Sequence, residues 1–195
     1  MKQSKKIAVT GGIGSGKSTV MKIIAGKGYP IFSCDEIYSQ LTSDRDFLNI
    51  LRHSFGDILN SDGTLDRKKL SEIVFNNPAK LAELDKITHP AIYKEMFRMA
   101  DKAGGICFCE VPLLFESGAE SLFDGVIIVM RNEEQRIKSV TARDKLPEQD
   151  VKKRISNQFD YNSADFAMYY VIHNCGDLSE LERQTEEIIK KINEK

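Results

Sequence analysis

The fold is decided near the start of the chain, by the stretch Ile7-Ala8-Val9-Thr10-Gly11-Gly12-Ile13-Gly14-Ser15-Gly16-Lys17-Ser18. Its first four residues form an apolar run that stops at glycine, which is typical of a short buried strand. Apolar residues then recur at Val20, Ile23 and Ile24, the spacing of one helix face. A second strand candidate, Pro30–Cys34, follows this helix. The chain therefore opens as a βαβ unit, which predicts a parallel sheet.

Residues 11–18 satisfy the spacing G-x-x-x-x-G-K-[ST], the phosphate-binding P-loop. Glycines allow successive backbone N–H groups to turn inward and bind phosphate oxygens, and the following helix adds its positive end. Lys17 is placed to reach the β- and γ-phosphates, and the Ser18 hydroxyl is placed to ligate Mg²⁺. The sequence thus predicts that a nucleoside triphosphate binds at Gly12, Gly14, Ser15, Gly16, Lys17, Ser18 and Thr19.

The rest of the chain continues the α/β pattern. Three more strands are predicted, at Ile106–Val111, Val126–Met130 and Tyr169–Ile172. The pattern is mostly helical between the second and third strands, and polar with mixed charge before the last one. The predicted fold is one α/β domain over residues 1–195, with a P-loop and a five-stranded parallel sheet flanked by helices.

Composition restricts the partners. The chain has 28 basic and 29 acidic residues in 195, a net charge of −1, which argues against a nucleic-acid or membrane partner. No window approaches a membrane span, and the apolar stretch after the first lysines is too short for a signal peptide. The four cysteines form no CxxC pair, so we expect buried free thiols in a reducing cytoplasm. We expect a monomer or a weak homo-oligomer.

A P-loop does not by itself identify the reaction. The N-K-x-D motif of GTPases is absent, which leaves a small-molecule kinase or an ATP-driven machine. The chain length favours the kinase. Three alternatives stay open at this point: a kinase for a nucleoside monophosphate or a sugar, a slow nucleotide-dependent switch, and a non-catalytic binding module.

Two carboxylates are placed to serve a kinase, because ligands of open parallel sheets lie beyond the carboxyl ends of the strands. Asp35 ends the second predicted strand and is the candidate group that accepts the proton of the acceptor hydroxyl. Its structural alternative is an N-cap for a helix that begins at Glu36. Glu110, near the end of the third strand, is placed to hold Mg²⁺ through water, and its alternative is an acid at the sheet edge.

The chain resembles the dephospho-coenzyme A kinases, and the resemblance covers nearly its whole length. It begins with the P-loop stretch Val9–Thr19 and ends with Val171-Ile172 and Asn174. The segments between them that carry it are Phe55–Leu59, Asp62-Gly63, Leu65-Asp66-Arg67, Leu70, Val74-Phe75, Ile87-Thr88-His89-Pro90, Glu110–Glu116, Arg143-Asp144, Arg154-Ile155 and Gln158.

The resemblance implies ATP and dephospho-CoA as substrates, Mg²⁺ as the cofactor, and three regions of the domain. The P-loop kinase core would comprise residues 1–35, 104–142 and 166–195. The helical acceptor-binding region would comprise residues 36–103, and the short lid would comprise residues 143–165. The resemblance implies that Asp35, Lys17 and Arg143 act in catalysis and that Asn174 contacts the nucleotide. It implies that the acceptor is bound by Asp35, His89, Pro90 and Leu113. As the lid closes, the phosphates would be contacted by Arg136, Arg143 and Arg154.

Each of these assignments has a structural alternative. His89 is equally the last residue of a helix that stops before Pro90, and Arg136 and Arg143 are equally a solvated helix face. The chain also departs from the family pattern. Ser33 replaces the first acid of an Asp-x-Asp pair, His173 replaces an acid before Asn174, and residues 160–167 lack a Glu-Lys pair.

Overall fold

The computed structural model describes residues 4–75, 77–161 and 165–194 and confirms the predicted fold class. Five strands form one parallel sheet in the order β2-β3-β1-β4-β5. The strands are β1 (Lys5–Thr10), β2 (Ile31–Ser33), β3 (Ile106–Glu110), β4 (Gly125–Met130) and β5 (Tyr170–His173). Strand β1 therefore lies at the centre, and its carboxyl end leads directly into the glycine-rich stretch.

The register of the sheet fixes which residues meet at that end. Val9 pairs with Glu110 of β3 and with Ile127 of β4, and Thr10 pairs with Ile128. Residues Lys6–Thr10 are all buried, as expected of a central strand covered on both faces. Glu110 thus ends β3 directly beside the start of the P-loop.

Eight α-helices lie in the described ranges, four of them between β2 and β3. They are α1 (Lys17–Gly26), α2 (Cys34–Leu41), α3 (Arg45–Phe55), α4 (Arg67–Phe75), α5 (Pro78–Ala103), α6 (Glu133–Asp144), α7 (Glu148–Ser156) and α8 (Leu178–Asn193). Side chains cap the start of five of them: Asp44 accepts from Phe47 N, Asp66 from Lys69 N, Asn77 from Lys80 N, Asn132 from Gln135 N and Asp177 from Glu180 N. None of the described helices combines the length and apolar composition needed to cross a bilayer.

The chain divides into two compact units. The first comprises residues up to Phe32 and from Ala100 onward, and its main core packs apolar residues of the sheet with those of α1 and α8. The second, Ser33–Met99, has its own core, which includes Phe47, Leu51 and Leu70.

Three details of the sequence interpretation are wrong. Strand β2 ends at Ser33 and α2 begins at Cys34, so Asp35 lies in the first turn of α2 and is neither a strand end nor an N-cap. Helix α5 continues through Pro90, so His89 does not end a helix. The four cysteines form no disulfide with one another, but Cys34 is half-buried and Cys175 is exposed, so the prediction of buried thiols is confirmed only for Cys107 and Cys109.

The second unit gives a test of its own core. Leu51 is fully buried, whereas its neighbour Ile50 on α3 is 53% exposed. We expect Leu51→Ala to lower the free energy of unfolding by about 2–5 kcal/mol, because truncation leaves a cavity in a packed core. Ile50→Ala is the matched control and should cost less than about 1 kcal/mol, as surface changes do. Urea unfolding followed by circular dichroism measures both, and equal losses would contradict the assignment of this core.

Candidate phosphate-binding site

The P-loop joins β1 to α1 through residues 11–16. Gly14 and Gly16 have φ values of +75° and +98°, which L-residues with a side chain rarely adopt. Gly16 is also the N-cap of α1, and no side chain in the described part of the chain caps this helix. A helix start without a side-chain cap suits an anion, since its first N–H groups and its dipole favour negative charge.

Close approach explains the glycines further. A Cβ atom at Gly11 would lie 2.3 Å from the Val129 carbonyl oxygen, and one at Gly14 would lie 2.7 Å from the Arg136 carbonyl oxygen. Both obstacles are backbone atoms, which cannot swing away as a side chain can. The loop therefore takes its shape by packing directly on β4 and α6.

Arg136 holds the loop from α6. Its side chain is buried, with the residue 8% exposed, and its Nε donates to the Ile13 carbonyl oxygen at 2.9 Å. Burial lowers the pKa of the guanidinium from its ordinary value, but arginine remains a cation at neutral pH. The solvated-face alternative is therefore wrong for this residue. Its contacts are with the P-loop backbone.

Gln158 binds the other polar group of the Ile13 backbone. Its Oε1 accepts from Ile13 N at 2.7 Å and from Arg136 Nη2 at 3.3 Å, so both backbone polar groups of Ile13 are bound. Gln158 is one of the residues that carry the resemblance to the family, and the resemblance implies no role for it. A glutamine after a polar helix carries no local signal for such a contact.

Tyr161 docks nearby, with its hydroxyl 3.4 Å from Thr10 Oγ1. Burial is the main reason that the pKa of Tyr161 is raised to about 12, so the phenol is protonated at neutral pH. Its ring belongs to an aromatic cluster of Phe115, Phe159, Tyr161, Phe166 and Tyr169. In addition, Phe159 N donates to Glu116 Oε1 at 2.9 Å. The segment after α7 is thereby fixed to the turn that follows β3.

The polar side chains of the loop lie as a phosphate site requires. Lys17 Nζ donates to the carbonyl oxygens of Gly11 and Gly12, at 2.7 and 3.2 Å, which places the ammonium over the loop. Ser18 Oγ donates to Glu110 Oε1 at 3.3 Å, so the two predicted metal-site residues adjoin. Thr19 is exposed in the first turn of α1, and Ser15 is 1% exposed.

Asn174 reaches the same loop from beyond β5. Its Nδ2 donates to the Ser15 carbonyl oxygen at 2.8 Å. A Cβ atom added at Gly16 would lie 2.2 Å from this same Nδ2, so a side chain at Gly16 would collide with Asn174. The backbone N–H of Asn174 donates to the Met130 carbonyl oxygen at 2.8 Å. The observed contacts of this residue are therefore with the phosphate-binding backbone.

Two of the three arginines predicted to contact the phosphates as the lid closes, Arg143 and Arg154, are exposed, whereas Arg136 is buried. Arg143, in the last turn of α6, forms a two-point ion pair with Asp144 at 2.7 and 3.0 Å, and this hydrogen bonding lowers the pKa of the Asp144 carboxyl. Arg154 is exposed in the last turn of α7, and Leu113 is exposed in the turn after β3. Residues 162–164 of the predicted lid lie outside the described residues.

The other predicted acceptor residues lie in the second unit. Asp35 is exposed in the first turn of α2. His89 lies on α5 with Nε2 3.6 Å from Asp85 Oδ1, and its ring centroid is 6.3 Å from that of Tyr93. Pro90 follows within the same helix.

Comparison with known proteins adds the family context. The family model described as CoaE, dephospho-CoA kinase, matches residues 5–180. A Fusobacterium nucleatum protein named dephospho-CoA kinase is 36% identical over 194 residues, covering 95% of this chain and 97% of that protein.

Two solved structures are similar over nearly their full length. TT1252 from Thermus thermophilus gives a TM-score of 0.85 at 30% identity, covering 97% of this chain and 98% of that one. A dephospho-CoA kinase from Campylobacter jejuni gives a TM-score of 0.68 at 31% identity, covering 96% of each.

The glycine contacts predict a sharp difference between two substitutions. Gly14→Ala should weaken ATP binding at least tenfold, because it combines a positive φ with a collision against the Arg136 backbone. Gly118→Ala is the matched control, since Gly118 has a φ of +63° and open space around its Cβ position. Isothermal titration with ATP measures both, and wild-type affinity in Gly14→Ala would contradict the close-packed loop.

Gln158→Leu should raise the KM for ATP about tenfold, because it leaves the Ile13 N–H and one arm of Arg136 without their acceptor. Gln149→Leu, on the exposed surface of α7, is the control and should match the wild type. Steady-state kinetics over a range of ATP concentrations measures the KM of both variants. An unchanged KM for ATP in Gln158→Leu would contradict the proposal that Gln158 stabilises the loop.

Proposed function

Because the chain belongs to the dephospho-CoA kinase family, we infer that it uses ATP to phosphorylate the ribose 3′-hydroxyl of dephospho-CoA, which gives coenzyme A. The observation that carries this inference is the packed P-loop with Lys17 and Ser18, inside a family match of residues 5–180. The residue roles below are proposals for how this chain performs the reaction.

ATP binds at Gly12, Gly14, Ser15, Gly16 and Thr19, with its phosphates on backbone N–H groups of the loop and at the start of α1. Lys17 Nζ exchanges its carbonyl partners for β- and γ-phosphate oxygens, which neutralises charge that builds up as the phosphoryl group moves. Asn174 and Arg136 act indirectly, by holding the backbone at Ser15 and Ile13 in the shape that the phosphates need.

Ser18 and Glu110 fit a magnesium ion. They supply a hydroxyl and a carboxylate oxygen that already adjoin, and hard oxygen ligands are those that Mg²⁺ prefers. Ser18 would ligate the ion directly and Glu110 through water. The ion, when bound, supplies positive charge to the β- and γ-phosphate oxygens.

Asp35 orients the acceptor hydroxyl and takes its proton as the new P–O bond forms. Its exposed place at the start of α2 leaves the carboxylate accessible to a sugar. His89, Pro90 and Leu113 bind other parts of the acceptor. Ser33 stands where the family usually has the first acid of an Asp-x-Asp pair, so Asp35, the second, serves as the base without it.

The lid, residues 143–165, carries Arg143 and Arg154. An arginine that now pairs with Asp144 can exchange that carboxylate for phosphate oxygens, since a guanidinium binds both in the same two-point geometry. Closure excludes water, so that the phosphoryl group passes to the sugar and not to solvent. Arg136 belongs to the loop support, whereas Arg143 and Arg154 contact the nucleotide.

We place the enzyme in the cytoplasm, as a monomer or weak homo-oligomer that acts on two small substrates. A net charge of −1 gives it no general attraction for nucleic acid or anionic membranes. Its four free cysteines agree with a reducing compartment.

The reaction is tested by ADP release from Mg-ATP with and without dephospho-CoA. We expect ADP that depends on the acceptor and a product one phosphate heavier by mass, with that phosphate mapped to the 3′ position. Turnover with a different acceptor would instead favour another P-loop kinase. ATP binding without any acceptor-dependent turnover would overturn the assignment in favour of a switch or a binding module.

Lys17→Ala and Asp35→Asn should each lower kcat at least a hundredfold, about 3 kcal/mol of barrier, because each removes a group that acts in the transition state. The controls are Lys22→Ala and Glu36→Gln, exposed neighbours on the same helices, and both should retain wild-type turnover. Near-normal kcat in either catalytic variant would remove that residue from the mechanism.

A further inference from the structure

The second unit contains a polar cavity of about 350 Å³ that none of the roles above uses. We call it the Arg67 pocket and define it by Ser39, Thr42, Ser43, Arg45, Thr64 and Arg67. It presents two guanidinium groups and four hydroxyls. Guanidinium groups bind phosphate with two parallel hydrogen bonds. The hydroxyls of Thr42, Ser43 and Thr64 already donate to protein oxygens, so the two arginines are the main donors that the pocket offers to a phosphate.

Arg67 is held in position within this pocket. Its Nη2 lies 3.4 Å from Thr42 Oγ1, and its Cζ lies 5.5 Å from the centroid of the Tyr38 ring. Thr42 is buried, and its hydroxyl donates to the Ser39 carbonyl oxygen at 3.0 Å, which leaves a lone pair toward the guanidinium. A preorganised arginine loses less freedom when it binds a ligand.

One acidic side chain, Asp62, also lines the cavity. The backbone N–H and the hydroxyl of Thr64 both donate to its Oδ1, at 3.0 and 2.6 Å, and this bonding lowers the pKa of the carboxyl. Asp62 is therefore ionised and already bonded to Thr64. The charged side chains of the lining sum to +1, two arginines less one aspartate.

The pocket lies along the helix face that carries Asp35. Ser39 follows Asp35 by four positions within α2, and Thr42, the C-cap of the helix, follows it by seven, so the three residues lie along one side of α2. Ser39 is one turn from Asp35, about 6 Å along the helix axis at about 1.5 Å per residue. In dephospho-CoA, the 5′-diphosphate lies across a single ribose from the 3′-hydroxyl, so a hydroxyl at Asp35 brings the diphosphate to this face.

We propose that the Arg67 pocket binds the diphosphate of the acceptor, with Arg45 and Arg67 as its cationic ligands. The proposal rests on the proposed function, because it takes the acceptor hydroxyl to be at Asp35. It assigns recognition of the acceptor to a cluster of cations and hydroxyls. It also gives a role to Arg67, a residue that carries the resemblance to the family but for which the resemblance implied no role.

The test compares Arg45→Ala and Arg67→Ala with Arg52→Ala, an exposed arginine of α3 outside the pocket. We expect the KM for dephospho-CoA to rise about ten- to a hundredfold in each pocket variant, the range for a lost charge-assisted hydrogen bond. The kcat, the KM for ATP and the thermal midpoint should stay near the wild-type values. Arg67→Lys, which keeps charge but not the two-point geometry, should lie between Arg67→Ala and the wild type.

A second readout is electrostatic. In the wild type the KM for dephospho-CoA should rise with KCl concentration, because salt screens the cations, and the slope should be shallower in Arg45→Ala. If Arg67→Ala lowers the thermal midpoint, Arg45→Ala alone decides the question, because it truncates an exposed side chain.

Three outcomes would overturn the proposal. The first is an unchanged acceptor KM in both pocket variants while the wild type turns over dephospho-CoA. The second is an equal rise in Arg52→Ala. The third is an altered response to added inorganic phosphate with no change in acceptor KM, which would make the pocket an effector site. Failure of the proposed function looks different, since the wild type itself would then not phosphorylate dephospho-CoA.

Discussion

The nucleotide site depends on one steric constraint, the packing of the P-loop backbone against its neighbours without room for a side chain. Gly11 lies against the Val129 carbonyl group, Gly14 against the Arg136 backbone, and Gly16 against the Asn174 amide. Because these contacts come from β4, α6 and the segment after β5, the loop has its shape only when those elements are in place. The phosphate site is therefore a product of the whole first unit.

Hydrogen bonds from two side chains also stabilise the P-loop backbone. The buried guanidinium of Arg136 and the amide of Gln158 bind both polar groups of the Ile13 backbone. Gln158 lies between α7 and the aromatic cluster around Phe115, so the hydrogen bonds of the loop continue into the segment predicted to be a lid. Such a connection offers a physical route by which lid position affects phosphate affinity, since displacement of Gln158 leaves the Ile13 N–H without its acceptor.

The two compact units divide the chemistry of the proposed reaction. The first unit supplies the cations and backbone donors for the triphosphate, and its sheet gives them a rigid support. The second supplies Asp35 and, in our proposal, the Arg67 pocket, on a helical unit with a separate core. Separate cores allow one unit to change its acceptor contacts by substitution while the phosphate site keeps its geometry.

The sequence by itself determined the βαβ start, the parallel sheet of five strands and the P-loop pattern of residues 11–18. These follow from local patterns, because apolar runs, glycine positions and the Lys17-Ser18 pair act over a few residues of chain. It predicted Asp35 and Glu110 from strand ends, although Asp35 lies one step further on, in α2. His89 and Pro90 led to a wrong helix boundary, because α5 continues through Pro90 although proline has no backbone N–H to donate.

Only the tertiary structure decided what Arg136, Gln158 and Asn174 do. Each contacts the P-loop from more than a hundred residues away in sequence, and their partners are backbone atoms, which carry no residue-specific pattern. The tertiary structure also decided the Arg67 pocket, because it brings together hydroxyls and arginines from α2, the turn after it, the loop at Asp62–Thr64 and the first residues of α3 and α4. Long-range contacts to backbone groups follow from how elements pack, and packing is set by the chain as a whole.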